Sequence, residues 1–303
     1  MEYILQTKEL CKNYGRAKIL KQVSINVPKG SIYGFVGRNG AGKTTLIRVL
    51  TGLHVPTSGS YSINGIENTS GDINEARKKI GAVVETPSIY PDLDARENLR
   101  MVCRLIGRPF DKIEEILKLV ELANTGKKKA KDFSLGMRQR LGIAFSLISD
   151  PEVLILDEPI NGLDPQGIKE VRELLTMLNQ EKGITILISS HILDELSKLA
   201  THYGFIDRGV VLREMSAEEL HHACRKSTHV TVDNISALQE VLGSMNMDYR
   251  IVSDTEADIF TDFYVTPLVT ELSKRNCTVF TITQNDESLE SFFINLIGGG
   301  EIA

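Results

Sequence analysis

The sequence predicts an α/β fold: a mostly parallel sheet covered by helices, with antiparallel strands at its start, a helical insertion and a small α+β module behind it. Three observations predict this. Ser31-Ile32-Tyr33-Gly34-Phe35-Val36 is a buried-strand pattern that runs into a glycine-rich turn and then a helical segment, Thr44 to Leu53. From Val153 to Leu199 strand and helix patterns alternate, as in a sheet whose faces are both covered. Near Arg213 to Arg225 the chain changes character and a second set of short elements begins.

Each element follows from its own pattern. Residues 1 to about 30 alternate in the manner of antiparallel strands. Asn64-Gly65 between short alternating runs predicts a hairpin turn. From Asp94 to about Ser149 the period is helical, with Ile113, Ile116, Leu117, Val120 and Leu122 on one face. Leu141, Ile143, Phe145 and Leu147 continue an apolar helix that ends before Asp150-Pro151. This stretch, about 94–149, is expected as a helical insertion into the sheet domain. Val153–Leu156 is a strand, Pro165–Glu181 a helix, Ile184–Ile188 a strand and His191–Leu199 a helix. Further on, His229–Asp233, Tyr249–Val252, Ile259–Phe263 and Thr278–Thr283 pattern as strands. Helices are expected over Ser236–Met245, from Pro267 to Lys274, and over Ser288–Ile297, with Gly298-Gly299-Gly300 behind the last. The order βαββαβ predicts a ferredoxin-like module. The expected domains are 1–224 and 225–303.

Composition narrows the function classes. A chain of 303 residues with 42% hydrophobic and 25% charged residues can bury a sizeable core. Its net charge of −5 offers nucleic acid no long-range attraction, so no nucleic-acid partner is expected. The short basic run Lys127-Lys128-Lys129 with Lys131 fits a solvated helix end or loop. Cys11, Cys103, Cys224 and Cys277 are scattered without a CxxC pair, which fits a reducing compartment and no zinc site. The first residues lack the apolar core of a signal peptide, and the longest apolar runs are strand-sized. If the protein moves anything across a membrane, another polypeptide supplies the path.

Two motifs carry the chemistry. Gly37-Arg38-Asn39-Gly40-Ala41-Gly42-Lys43-Thr44 fits G-x-x-x-x-G-K-[ST], the P-loop. Small residues there let backbone N–H groups turn inward on phosphate oxygens, and the following helix adds its positive end. Gly37, Asn39, Gly40, Ala41 and Gly42, with Thr45 in the first helical turn, form the expected cradle. Lys43 reaches the β- and γ-phosphates, and the Thr44 hydroxyl is a candidate Mg²⁺ ligand. The second motif, Val153-Leu154-Ile155-Leu156-Asp157-Glu158, delivers two carboxylates to a strand's C-terminal end, where ligands collect in open α/β sheets. Asp157 is placed to hold Mg²⁺ through its water shell, and Glu158 to polarise an attacking water. Alone, the acidic pair also fits a solvated turn; beside a P-loop it indicates ATP hydrolysis.

With these residues in hand, the chain resembles ABC ATPases over about residues 1–220, and a P-loop NTPase fold of that type is implied. Phe133-Ser134-Leu135-Gly136-Met137-Arg138-Gln139-Arg140 resembles the family signature LSGGQ, with Ser134 and Gly136 matching and Leu135 and Met137 departing. The resemblance implies that Ser134 and Gly136 contact ATP held by a second copy, so a homodimer is expected. Asn161-Gly162-Leu163-Asp164 looks like the D-loop, which adds Asp164 to the nucleotide interface. His191 matches the switch histidine, although a lone histidine at a strand end is more often structural. Tyr14 resembles the aromatic that stacks on adenine, against the plainer reading of a half-buried tyrosine. Where the family has a glutamine between sheet and helical domains, this chain has Glu85. Glutamate can still ligate Mg²⁺ through oxygen, but it cannot donate an amide hydrogen bond and it adds charge.

Glu85, the divergent signature and the C-terminal module ending Ser288-Leu289-Glu290-Ser291-Phe292-Phe293 together resemble the ATPases of bacitracin- and lantibiotic-type peptide resistance exporters. That implies separate membrane permease subunits and attachment to the inner face of the cell membrane. The alternative class is a soluble ABC ATPase acting on DNA or the ribosome. Such proteins usually carry a long coiled coil, zinc modules or two cassettes, and none is visible here.

Overall fold

The computed structural model describes residues 2–224, 227–285 and 289–298. Arg225, where the second domain is expected to begin, Ser288 at the start of the last expected helix, and Gly299-Gly300 lie outside them. The chain divides into two compact units, Met1–Ala217 and Glu218–Ala303.

The first unit opens with β1 (Tyr3–Tyr14), β2 (Ala17–Val23) and β3 (Asn26–Pro28), then β4 (Ile32–Gly37) and α1 (Lys43–Leu50). β5 (Ser58–Ile63) and β6 (Ile66–Glu67) flank Asn64-Gly65, both left-handed at φ 49° and 76°, as the hairpin turn requires. β2, β1, β5 and β6 form an antiparallel sheet, with β3 also on β1. Next come α2 (Ile73–Arg77) and β7 (Ile80–Val83). The helical insertion is α3 (Ala95–Ile106), α4 (Ile113–Leu119) and α5 (Leu135–Leu147). The chain returns through β8 (Val153–Asp157), α6 (Pro165–Lys182), β9 (Thr185–Ser190), α7 (Leu193–Ser197), β10 (His202–Asp207) and β11 (Val210–Ser216). The central sheet runs β11-β10-β4-β9-β8-β7, parallel throughout except for β11. Its strands β4, β8 and β9 are buried along their whole length, which is why they pattern as continuous apolar runs rather than alternations. Leu46, Ile47, Val49 and Leu50 of α1 share a core with Val153, Ile155 and Leu187. This core fixes the P-loop helix against the strand that carries the acidic pair.

Two helices of this unit are shorter than their patterns suggest. α1 stops at Leu50 because Gly52 turns left-handed at φ 80°. α7 begins at Leu193 because the Ser190 hydroxyl accepts from the Ile192 N–H at 2.9 Å, holding a turn at His191.

The segment that enters the insertion is tied by one side chain. Asn98 is fully buried; its Nδ2 donates to the carbonyls of Tyr90 (3.0 Å), Leu93 (3.2 Å) and Asp94 (3.0 Å). Its Oδ1 accepts from the Tyr90 N–H at 2.9 Å. Asp94 caps α3 in a capping box with Glu97. Asn98→Ala removes these hydrogen bonds together and leaves the Tyr90 N–H without its acceptor, and is expected to destabilise the first unit by about 1–3 kcal/mol, read as a lowered urea midpoint.

The second unit begins with α8 (Ala217–Ala223 by its full span), followed by β12 (Ser227–Val232), α9 (Ile235–Ser244), β13 (Tyr249–Ile251), β14 (Glu256–Ile259), α10 (Val265–Ser273), β15 (Val279–Asn285) and α11 (Leu289–Gly298). The sheet order is β13-β14-β12-β15 with every neighbour antiparallel, the pairing expected of a βαββαβ module. Leu238, Val241, Leu242, Leu268 and Leu272 of the two helices pack on Val230, Val232, Ala257 and Ile259. The strand expected over Ile259–Phe263 is instead Glu256–Ile259. Only Ala257 and Ile259 face the core there, while the polar residues Glu256 and Asp258 alternate with them, so the apolar cluster Ile259, Phe260 and Phe263 marks the strand's end and not its middle. No helix among the described residues is long and apolar enough to cross a membrane.

Candidate functional site

β4 is buried to its last residue, Gly37, and the chain then surfaces at Arg38, Asn39 and Gly40 before α1 begins. Gly42 holds the N-cap of α1 at φ 113°, a conformation that only glycine adopts without strain, and no side chain caps this helix. The uncapped N–H groups of the first turn are therefore left for a ligand. Thr44 and Thr45 stand half-buried in that turn.

Lys43 is 5% exposed. Its ammonium donates to the carbonyl oxygens of Gly37 (2.5 Å) and Arg38 (3.2 Å) and lies 3.2 Å from Glu158 Oε1. Glu158 Oε2 lies 2.8 Å from His191 Nδ1. Lys43, Glu158 and His191 thus form one chain of contacts across three elements: the P-loop, the end of β8 and the end of β9. Glu158 sits at φ 50°, a left-handed position rare for a residue with a side chain, and such strain clusters at functional sites.

The carboxylate of Asp157, at the end of β8, is 3% exposed, and its Oδ1 accepts from the Ser189 hydroxyl at 2.6 Å. The same hydroxyl oxygen accepts from the Glu158 N–H at 3.0 Å. Ser189 is itself fully buried and therefore orients both acidic residues. It is absent from the residues singled out in the sequence. The available signal was two polar residues, Ser189-Ser190, ending a strand that is otherwise apolar.

A cleft of about 560 Å³ opens beside this network, lined by Thr44, Glu85, Asp157, Glu158 and Asn161, and by Leu135 and Gln139 of α5. Among the described residues no cluster of three or more His, Cys, Asp or Glu could hold a metal ion unaided. What the cleft offers is the Thr44 hydroxyl and the Asp157 carboxylate, hard oxygen donors too few for a protein-only cage. That donor set suits a small divalent cation that keeps its waters and shares phosphate oxygens.

The other predicted residues lie further out. Ser134 is exposed and caps α5, accepting from the Met137 N–H at 3.2 Å. Asp164 caps α6 in the same way through Gly167 N–H at 3.0 Å. The two helix starts are neighbours, since a Cβ on Gly136 would lie 3.7 Å from Gly167 Cα. Ser134, Gly136 and Asp164 therefore share a solvent-facing surface and do not line the cleft. Tyr14, 40% exposed at the end of β1, is hydrogen-bonded to His54 Nδ1 and meets its ring edge-on, with centroids 5.4 Å apart. Glu85 lies at φ 60° with its carboxylate 2.5 Å from Arg48 of α1. Neither His54 nor Arg48 was legible as a partner from the sequence.

Comparison with known proteins agrees with this geometry. A family profile described as "ABC transporter" matches residues 20–161. The bacitracin transport ATP-binding protein of Bacillus licheniformis is 43% identical over 307 residues, covering 100% of both chains. The lantibiotic transport ATP-binding protein of Streptococcus pyogenes is 46% identical over 70% of this chain and 90% of its own. Among solved structures, the dimeric ATP-binding cassette MJ0796 in a post-hydrolysis state with ADP and Pi matches at a TM-score of 0.62 and 27% identity, over 70% of this chain and 98% of that one. With a P-loop, an acidic pair and a histidine in one network, and a relative matched end to end, the chain belongs to the ABC transporter family as an ATP-hydrolysing subunit.

Proposed function

We propose that this subunit powers export of antimicrobial peptides of the bacitracin or lantibiotic type through separate membrane subunits, at the inner face of the cell membrane. The observation that carries this reading is the 43% identity to a bacitracin transport ATP-binding protein along the whole chain, the second unit included. In this reading residues 1–224 are the ATPase domain and 225–303 an accessory domain.

The working form is a homodimer holding two ATP molecules. Each triphosphate lies on one P-loop, in the backbone N–H groups of Gly37 to Thr45. The Ser134 and Gly136 end of α5 and the Asp164 turn of the second copy close over it. The exposure of Ser134 and Asp164 at two neighbouring helix starts supports a role across a dimer interface. Tyr14 stacks on the adenine. Lys43 gives up its carbonyl partners for β- and γ-phosphate oxygens. Glu158 accepts a proton from the attacking water, and His191, on the far side of the same carboxylate, steadies it and the developing charge on the γ-phosphate. Thr44 and Asp157 would hold Mg²⁺, with Glu85 nearby; the ion supplies charge neutralisation on the phosphates, which a cleft with two buried or half-buried carboxylates needs.

The test is resistance. Expressed together with its membrane subunits in a sensitive bacterium, the protein is expected to raise the inhibitory concentration of bacitracin or of a lantibiotic, and Lys43→Ala to abolish the gain. An assembled complex that hydrolyses ATP yet leaves sensitivity to both peptide classes unchanged would sink the export reading.

A further inference from the structure

The outer strand of a sheet leaves one row of backbone N–H and C=O groups unpaired, and proteins guard such edges with short strands, charged side chains or a covering segment. Among the described residues, most edges of this chain are guarded in that way. β3, β6, β7 and β13 have four residues or fewer. β2 carries Lys18 and Lys21, and β11 carries Arg213 and Glu214. β15 is the exception. It is an outer strand of the second unit's sheet, seven residues long, and Val279-Phe280-Thr281-Ile282-Thr283-Gln284-Asn285 holds no charge and no proline. A bulge at Phe280 interrupts only its start; Thr281 to Asn285 pair in unbroken register with Thr231 to Ser227. Phe280 is 62% exposed, and Thr281, Thr283 and Gln284 are exposed as well.

Charge decides what such an edge can accept. The residues from Glu218 to Ala303 include 14 acidic and five basic ones, a formal net charge of −9, whereas the residues before them carry +4. Acids also stand near the strand itself. Asp233 accepts from the Thr278 N–H, one residue before β15, at 2.8 Å, and Asp286-Glu287 follows the strand in the sequence. The basic residues that precede it, Lys274 and Arg275, are held by Glu271 at 2.6 Å and by Glu240 at 2.9 Å. A second copy of this unit would bring another charge of −9 within a Debye length, about 8–10 Å, and an anionic lipid surface would be repelled in the same way. An extended segment rich in Lys and Arg is attracted instead. Cytoplasmic segments of membrane proteins carry that excess.

We propose that β15 is a docking edge, and that an extended basic segment from the cytoplasmic side of a membrane subunit adds to it as a fifth strand of the second unit's sheet. The inference rests on the separate membrane subunits proposed above and names where one of them is held. The open backbone groups of Thr281 to Asn285 supply the hydrogen bonds, and the acidic surroundings select a basic strand over a neutral one. No residue of the P-loop, the acidic pair or the histidine takes part.

The test is photocrosslinking from the edge. The full chain and its membrane subunits are expressed together, with p-benzoylphenylalanine in place of Thr283 and an epitope tag on the membrane subunit. Illumination of the isolated membranes is expected to give a product that contains both the tagged subunit and this chain. Raising KCl from about 0.1 M to about 0.5 M is expected to lower its yield roughly twofold or more, as screening weakens the attraction. Thr281→Lys puts a repelling charge on the edge and is expected to lower the yield roughly fivefold, while Thr281→Val keeps an uncharged β-branched residue and leaves it unchanged. A product of two copies of this chain, a membrane subunit that co-purifies but gives no product, or a yield indifferent to salt or to Thr281→Lys overturns the docking edge alone. If no membrane subunit co-purifies with the unsubstituted chain, the transport reading falls, and the docking edge with it.

Discussion

Glu158→Gln is expected to lower ATP turnover by about 10²- to 10⁴-fold while leaving ATP bound. The substitution keeps the shape of the side chain and removes its charge. A glutamine oxygen can still face Lys43, 3.2 Å away, and its amide nitrogen can face His191 at 2.8 Å, so the network has no reason to collapse. What disappears is the proposed base. A neutral amide cannot accept the proton that water must lose as it attacks the γ-phosphate.

The charge change has a second consequence, of opposite sign. In the native chain a carboxylate stands beside the place proposed for the triphosphate, where the two would repel. Removing that charge favours the ATP-loaded state over the empty one. The variant is therefore expected to accumulate as an ATP-dependent dimer, seen as a doubled mass in size-exclusion chromatography with light scattering, and to lose that dimer when ATP is withheld. Phosphate release at the unaltered rate would remove Glu158 from the role of base. Slow release without any ATP-dependent dimer would leave that role standing but contradict the two-copy arrangement.

How much of this could be foreseen depended on the distance over which each contact acts. β4, the P-loop and α1 were legible because the whole unit is local: an apolar strand, a fixed spacing of small residues, then a helix. The acidic pair was legible because four buried residues lead straight into it. β14 lies earlier than its pattern suggests because a strand that alternates Glu256 and Asp258 with Ala257 and Ile259 looks weaker in sequence than the apolar residues that follow it. Ser189 was illegible for a different reason. It meets Asp157 only because β8 and β9 run parallel in a register that sets these two residues opposite each other, 32 positions apart. Arg48 is likewise 37 positions from Glu85, and nothing local to either residue announces the other. Family resemblance supplied Glu85 as a position; only the fold supplied its partner.

Ser189 also gives the second large effect. Ser189→Ala removes the hydroxyl that donates to Asp157 at 2.6 Å and accepts from Glu158 N–H at 3.0 Å. The Glu158 N–H keeps an acceptor, the Ser189 carbonyl at 3.2 Å, so the backbone is not left without a partner. The Asp157 carboxylate fares worse: it is nearly inaccessible to water, and a lost hydrogen bond to a charged group costs about 1.5–3 kcal/mol. It is expected to recover part of that by turning, and in turning it leaves the position from which it is proposed to serve the metal. Displacements near 1 Å at a reacting centre are enough to cost about 10²-fold in rate, so kcat is expected to fall roughly 10- to 100-fold. The phosphate-cradling N–H groups belong to a different element and are untouched, so KM for ATP is expected to stay within about twofold. A merely structural serine would not divide the two constants in this way. Ser189→Thr keeps the hydroxyl on a strand position that suits a β-branched residue, and is expected to recover most of kcat. A Ser189→Ala enzyme with unaltered kcat would mean that Asp157 and Glu158 hold their places without it.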